Sequence, residues 1–323
     1  MTTAMNTQPG AANAGILRFG RQNAILVAFV VVLLVLALTR QQFLTIENIT
    51  NILQQNAIIG VIACGMTFAI IIGGFDLSVG AAAALSAVVC ASVMASGGSL
   101  AIPLGLGAGL IAGVVTGSIN GWLVAYLRVN PFVATLGTMT IIRGLVYVGT
   151  NATPIFGVPY EIINLGLGKI AGIPVVTIIF TGVALALGCL LHSTRFGHYV
   201  YTVGGNARAA SMMGINTRRV QFLTYLLVSI CAALAGMLLV GQTASGQPQT
   251  ALGYELTAIA AVIVGGASLG GGRGRMIDTV LGVLLLGVVS NALNLFGVSP
   301  FWQPVATGMI LIAAVALDRK NAA

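Results

Sequence analysis

Residues 220–241 read VQFLTYLLVSICAALAGMLLVG, an apolar run without a single charged side chain. A helix needs about 20 such residues, rising 1.5 Å each, to cross some 30 Å of hydrocarbon. The stretch meets that length and reads as a transmembrane helix. Nine further apolar runs flank it, at 24–39, 56–72, 79–96, 100–127, 132–149, 174–192, 255–270, 276–297 and 301–317, broken by Gly, Pro, Asn or charge. The pattern predicts an all-α, polytopic integral membrane protein of about ten transmembrane helices. A membrane β-barrel would show alternating segments of about ten residues instead. Several runs are shorter than a full crossing, and GYELTAIAAVIVGGASL (253–269) is the weakest, a candidate for a broken or re-entrant segment.

Composition agrees. Of 323 residues, 58 % are hydrophobic and 6 % charged, against about 25 % charged in soluble domains. The net charge of +8 does not mark a nucleic-acid binder, because the basic residues are scattered through the loops between spans, where they set orientation. With both termini cytoplasmic, the inner segments hold Arg18, Arg21, Arg128, Arg195, Arg208, Arg218, Arg219, Arg273, Arg275, Arg319 and Lys320. The outer ones hold Arg40 and Lys169, and Arg143 lies within a span. Removing one span would put several of these arginines on the wrong side. The expected organisation is a cytoplasmic tail (1–23), one transmembrane domain (24–317) and a short cytoplasmic tail (318–323). Two loops are large: 150–173 outside, rich in Pro and Gly, and 193–219 inside, with four arginines. The N-terminal stretch lacks a small-residue cleavage site and reads as leading into an uncleaved first helix. Cys64, Cys90, Cys189 and Cys231 all fall in apolar runs without a CxxC spacing, and read as buried free thiols.

Two patterns suggest close backbone packing or duplication. Gly105, Gly109, Gly113, Gly117 and Gly121 recur every fourth residue and form a smooth stripe on one helical face. GGFDLSVG (73–80) is echoed by GGASLGGG (265–272), and VNPF (129–132) by VSPF (298–301); internal repeats are common in transporters.

Catalytic signatures are missing from the sequence. There is no GxxxxGK[ST], HExxH or GxSxG, and the only lysines are Lys169 and Lys320. The six carboxylates, Glu47, Asp76, Glu161, Glu255, Asp278 and Asp318, all avoid the middle of a predicted span; Asp76 and Asp278 read as lying at inner span ends. Ion-coupled carriers place ionisable groups near the midplane. Here only Arg143 lies deep, where insertion costs about 2.5–3.5 kcal/mol, so it must face the bundle interior and pair with a carboxylate, backbone carbonyls or substrate. Uncharged polar residues are more frequent along the spans: Asn56, Thr67, Ser86, Ser92, Thr116, Asn120, Thr135, Thr138, Ser290, Asn291 and Asn294. Asn291 and Asn294 share a helical face. Such groups suit either a path for a neutral, hydroxyl-rich solute or hydrogen bonds between helices. Asn56, Arg143, Asn291 and Asn294 are the candidate pathway residues.

One stretch stands apart from the oily background: GGNARAASMMGIN (204–216), in the most basic loop. Asn206 suits a helix N-cap and Gly214 a left-handed stop. The seven residues between them would make about 10 Å of helix. Arg208, Ala209, Ala210, Met212 and Met213 would present a small, adaptable contact surface to a partner.

The loop TRFGHYVYTVGGNARAASMMGIN (194–216), together with MTFAIIIGGFDLSVGA (66–81), NPFVATLGTM (130–139) and ELTAIAAVIVGGASLGGGRGR (255–275), resembles the permeases of sugar-importing ABC transporters. The likeness runs in order over about 20–320 and is nearest the ribose-type branch, whose members also import xylose, arabinose, galactose and allose. It implies a non-enzymatic permease subunit in the bacterial inner membrane, working as a homodimer. No cofactor would belong to this chain; ATP and Mg would sit on a partner ATPase carrying two nucleotide-binding domains. That ATPase would dock on a coupling helix at about Ala207–Met213, with Asn206, Arg208, Ala209, Met212, Met213 and Gly214 as its coupling residues. A periplasmic binding protein would deliver a monosaccharide, ribose or a related pentose, to the outer loops 150–173 and 242–254. Lipid would surround the pair, and nucleic acid has no part. A stand-alone secondary carrier or facilitator for a small neutral solute is the alternative; it leaves GGNARAASMMGIN without a purpose.

Overall fold

The computed structural model describes residues 24–322. The expected tail 1–23, with Arg18 and Arg21, lies outside them. The described residues form an α-helical bundle of α1 (Ala24–Thr39), α2 (Ile46–Ile71), α3 (Val79–Ala95), α4 (Ala101–Ala125), α5 (Pro131–Thr150), the short α6 (Ile163–Leu167), α7 (Val175–Ser193), α8 (Arg195–Met212), α9 (Thr217–Thr243), α10 (Tyr254–Val264), α11 (Met276–Leu295) and α12 (Trp302–Ala322). A two-residue hairpin, Lys169–Ile170 against Ile173–Pro174, decorates the loop before α7. Six helices are long and apolar enough to span a membrane, namely α2, α4, α5, α7, α9 and α11. The other four apolar runs also hold helices, α1, α3, α10 and α12, whose apolar stretches are shorter.

The opening stretch forms the middle of α9, and α9 with α2 makes the centre of the bundle. Their most apolar windows are 72 % and 78 % buried, whereas those of α4, α5 and α7 are 28 % buried; the outer helices turn much of their apolar surface outward, as lipid-facing helices must. The glycine stripe of α4 makes the closest seam. A Cβ at Gly113 would strike Ala233, one at Gly117 would lie 2.7 Å from Leu226 Cα, and one at Gly121 2.9 Å from the Phe222 carbonyl. Gly107, off the stripe, has nothing within 4 Å. Polar side chains tie α2 to the antiparallel α11: Asn48 and Asn291 exchange amide hydrogen bonds (2.7 and 3.1 Å), and the Thr67 and Thr279 hydroxyls meet at 2.8 Å. Between them Gly287 leaves room for the Asn56 amide.

Four expectations are corrected. The second run was expected from 56, but α2 begins at Ile46, where Thr45 caps it by accepting from Asn48 N–H (3.3 Å); within the polar opening IENITN the Asn48 amide finds its partner on α11. The loop 193–219 is largely helix: α8 begins at Arg195, and its first part packs under the bundle with Val200 and Val203 buried and Phe196 stacked on Phe68 at 6.2 Å. Cys189 is exposed rather than buried, on the outward face of α7. The residues given to a C-terminal tail, 318–322, continue α12.

The eighth run is the largest departure. It was expected over 255–270, but α10 is only eleven residues, about 16 Å. The chain leaves α9 at Ala244 (φ 50°), turns back, and enters α10 through Gly253 (φ 80°). Arg143, in the thirteenth position of α5 and so about 18 Å along it, donates through Nη1 to the Pro248 carbonyl (2.8 Å) and the Thr250 carbonyl (3.1 Å). The segment 244–253 therefore re-enters the bundle as non-helical chain, and α10, starting deep within it, completes the passage to the other end. The guanidinium satisfies carbonyls that lipid could not.

Asp76 also moves. It was expected at the inner end of a span, yet it is fully buried in the break between α2 and α3. Its carboxylate accepts from the Ser78 N–H (2.8 Å), the Ser78 hydroxyl (2.6 Å) and the Asn120 amide (3.2 Å), while Thr138 donates to Asn120 Oδ1 at 2.7 Å. This network lets α3 begin inside the bundle too. A Cβ at Gly80, in the first turn of α3, would strike the Glu255 carboxylate and lie 2.5 Å from the Ala251 carbonyl. The two deep helix starts, α3 and α10, therefore meet.

Candidate functional site

Two places carry the candidate residues. The first is the segment 206–214. At Asn206 the backbone leaves the helical region (φ −161°, ψ 98°), and its Oδ1 accepts from Ala209 N–H at 2.9 Å. The kink starts a fresh helical turn, and Asn206 caps it because its short amide satisfies one of the free first-turn donors. Gly214 ends it in the left-handed conformation at φ 83°, which favours glycine. Met212 and Met213 are 78 % and 66 % exposed, and Ala207, Arg208 and Ser211 are exposed with them. Ala210, expected on that surface, is buried instead, and Ala209 is half-buried: this face holds the turn to the bundle while the methionines stay free.

What lies directly before this segment was not legible in the sequence as a contact. Gly204 sits against the last turn of α2, where a Cβ would overlap the Ile71 carbonyl. Gly272 N–H donates to that same carbonyl at 2.8 Å. A Cβ on Gly271 would lie 2.7 Å from the Gly204 carbonyl and 3.0 Å from Gly73 N. The Tyr201 hydroxyl donates to the Gly274 carbonyl at 2.7 Å. The two echoed motifs, GGFDLSVG and GGASLGGG, thus converge on the glycine pair at which the exposed segment begins. Only residues without side chains allow three backbones to approach this closely.

The second place is a cavity of about 470 Å³ between α2, α10, α11 and α12, within the roughly 300–1,000 Å³ common for small-molecule sites. Asn56, Gln55, Tyr254, Thr257, Ser290, Gln303 and Thr307 supply its polar wall, and Ile59, Leu256 and Leu286 part of its apolar one; no charged side chain lines it. Asn56, ten residues into α2, lies about 15 Å from the start of that helix. The structure does not bring the four candidate pathway residues together. Asn56 lines the cavity, while Asn291 is committed to Asn48 and Asn294 accepts from the Gln303 amide at 3.1 Å, one step behind the wall. Arg143 is elsewhere, on the re-entrant carbonyls, and they are the backbone partners its depth demanded. Sequence reading missed Tyr254, Thr257, Gln303 and Thr307, because three of them sit near helix starts rather than in mid-run.

Comparison with known proteins gives a consistent picture. The family described as branched-chain amino acid transport system / permease component matches residues 48–315. The ribose import permease protein of Bacillus subtilis is 45 % identical over 295 residues, 91 % of each chain. That of Escherichia coli is 39 % identical over 300 residues, covering 92 % of this chain and 93 % of its own. The L-arabinose transport system permease protein of Escherichia coli is 37 % identical over 320 residues, 98 % of this chain and 97 % of its own. No solved structure matches. With its apolar helices and a family match over most of its length, the chain belongs to this family of transport-system permease components and is a multi-pass membrane permease subunit rather than an enzyme.

Proposed function

We propose that this chain is the membrane subunit of an ATP-driven importer that carries a monosaccharide, ribose or a related pentose, across the bacterial inner membrane by alternating access. One observation carries the coupling part of the reading. A capped, exposed turn, 206–214, is seated through Gly204 on backbone from two broken regions of the bundle, so a push on Met212 and Met213 would reach the interior. An ATPase subunit with two nucleotide-binding domains would supply that push, two copies of the chain would form the pore, and a periplasmic binding protein would load it. Both termini and the 206–214 segment would face the cytoplasm, and loop 150–173 the periplasm. Ribose comes from the names of the relatives and from the uncharged cavity, which suits a neutral polyol.

Asp76 is the one observation favouring a stand-alone carrier, since a buried carboxylate is what ion coupling uses. Its oxygens, however, are already engaged by Ser78 and Asn120. The experiment is uptake of radiolabelled ribose by cells expressing Arg208→Glu and Gly214→Val. Each should abolish uptake while the protein inserts at normal abundance, the second because a β-branched residue resists positive φ. Unchanged uptake in both removes the coupling assignment. Ribose transport into liposomes by the purified chain, without ATP or partners, would establish the carrier reading instead.

A further inference from the structure

The cavity between α2, α10, α11 and α12 has a chemical bias that narrows its occupant. The Asn56 amide donates to the Ile52 carbonyl (2.7 Å) and the Gln303 amide to Asn294 (3.1 Å), while the Thr257 hydroxyl donates to the Gly253 carbonyl (3.1 Å). Each group has thus spent a donor within the protein. The Asn56 and Gln303 amide oxygens keep their lone pairs, as does the Thr257 hydroxyl. The Tyr254, Ser290 and Thr307 hydroxyls add donors as well as acceptors to the same wall, which suits a ligand whose hydroxyls both donate and accept. With no charged lining residue, the wall offers an ion no countercharge to offset desolvation. The ring of Tyr254 and the side chains of Leu256 and Leu286 supply an apolar flank for the C–H face of a sugar.

Position adds a second argument. One wall of the cavity is the first turn of α10, Tyr254 to Thr257. The far end of α10 leads at Gly265 into the loop that knits Gly271 and Gly272 to Gly204. Eleven residues of helix, about 16 Å, the last seven of them buried, join the cavity to the exposed segment. α2 makes a second link: twelve residues of helix lead from Ile59 in the cavity wall to Ile71, whose carbonyl meets Gly204.

From these observations we propose that this cavity is the membrane-embedded binding site for one neutral monosaccharide in transit, with Asn56, Thr257 and Gln303 accepting its hydroxyl hydrogens. The assignment rests on the importer reading above.

The test uses the assembled importer in native membranes. Thr257→Val and Gln303→Leu should each lower the maximal rate of ribose uptake about tenfold, the order expected for one lost buried hydrogen bond. Binding-protein-stimulated ATP hydrolysis should persist, and Thr257→Ser should restore transport. Independently, Thr257→Cys in a Cys189→Ser background should react with N-ethylmaleimide, and D-ribose, L-arabinose or D-allose should slow that reaction. Transport at the normal rate in both Thr257→Val and Gln303→Leu, or labelling that none of the three sugars slows, overturns the cavity assignment. Arg208→Glu run in parallel separates the failures. If it abolishes uptake while the cavity variants do not, the importer reading stands and this one falls; if it has no effect either, the importer reading falls first.

Discussion

Gly204 and Gly205 are neighbours in sequence with opposite tolerances. A Cβ on Gly204 overlaps the Ile71 carbonyl, whereas a Cβ on Gly205 would meet nothing within 4 Å. Overpacking of this kind costs about 1–3 kcal/mol. Gly204→Ala should therefore lower the thermal midpoint of the detergent-purified protein and depress uptake, while Gly205→Ala leaves both unchanged; equal behaviour of the pair would mean the glycine junction is looser than described. The cap at Asn206 and the stop at Gly214 were readable because capping is local: a short amide, seven residues and a glycine say where a turn starts and ends. Asp76 and Arg143 were not readable in the same way. Asp76 looked terminal because hydropathy registers only its place between runs, while its depth is fixed by Asn120 and Thr138 from two other helices. The partners of Arg143 are carbonyls more than a hundred positions away.

At the scale of the element, the ten runs each marked a helix, since apolar length is what the bilayer demands. Where a helix stops inside the membrane is a different matter. YELTAIAAVIVGGASL is apolar to its end, but α10 stops before Gly266, left-handed at φ 96°, and the preceding Gly265 leaves room for the Asp278 carbonyl of α11, a contact that sequence does not display. The start of α10 hangs on the clamp between Arg143 and the carbonyls of Pro248 and Thr250. Arg143→Met keeps the length and loses the donors, leaving two buried carbonyls unpaired at about 1–3 kcal/mol each. The re-entrant segment should then loosen: uptake falls, and a cysteine placed at Leu252 reacts faster with a thiol reagent than in the parent. A rate unchanged by Arg143→Met would show that the segment is held by packing alone.

For the whole molecule, charge distribution sets orientation. Among the described residues Arg208, Arg218, Arg219, Arg273 and Arg275 gather at the end of the bundle that holds Gly204, and Lys169 lies in the loop between α5 and α7. The positive-inside rule would put the first end in the cytoplasm. A membrane-impermeant maleimide should label Phe156→Cys in intact cells and Ser211→Cys only after permeabilisation; the reverse pattern would invert the protein and with it the coupling assignment. Both positions are exposed, so reactivity reports side rather than burial.

The brevity of α10 also bears on how the chain is made. Because α2 and α11 are antiparallel and the start of α9 lies beside the end of α2, the stretch between the end of α9 and the start of α11 must pass from one side of the bundle to the other. Only eleven of its residues are helical, far from the ~20 that insertion machinery registers as a span. Nascent α10 therefore has no thermodynamic claim on lipid by itself. It must wait, with its unpaired backbone held in water or at the headgroups, until α11 and α12, which are made after it and pack against it, join α2 and α5 in the bundle. Biosynthesis then has a late step in which one short helix is threaded into an almost finished bundle, and the arginine that anchors it was inserted about a hundred residues earlier.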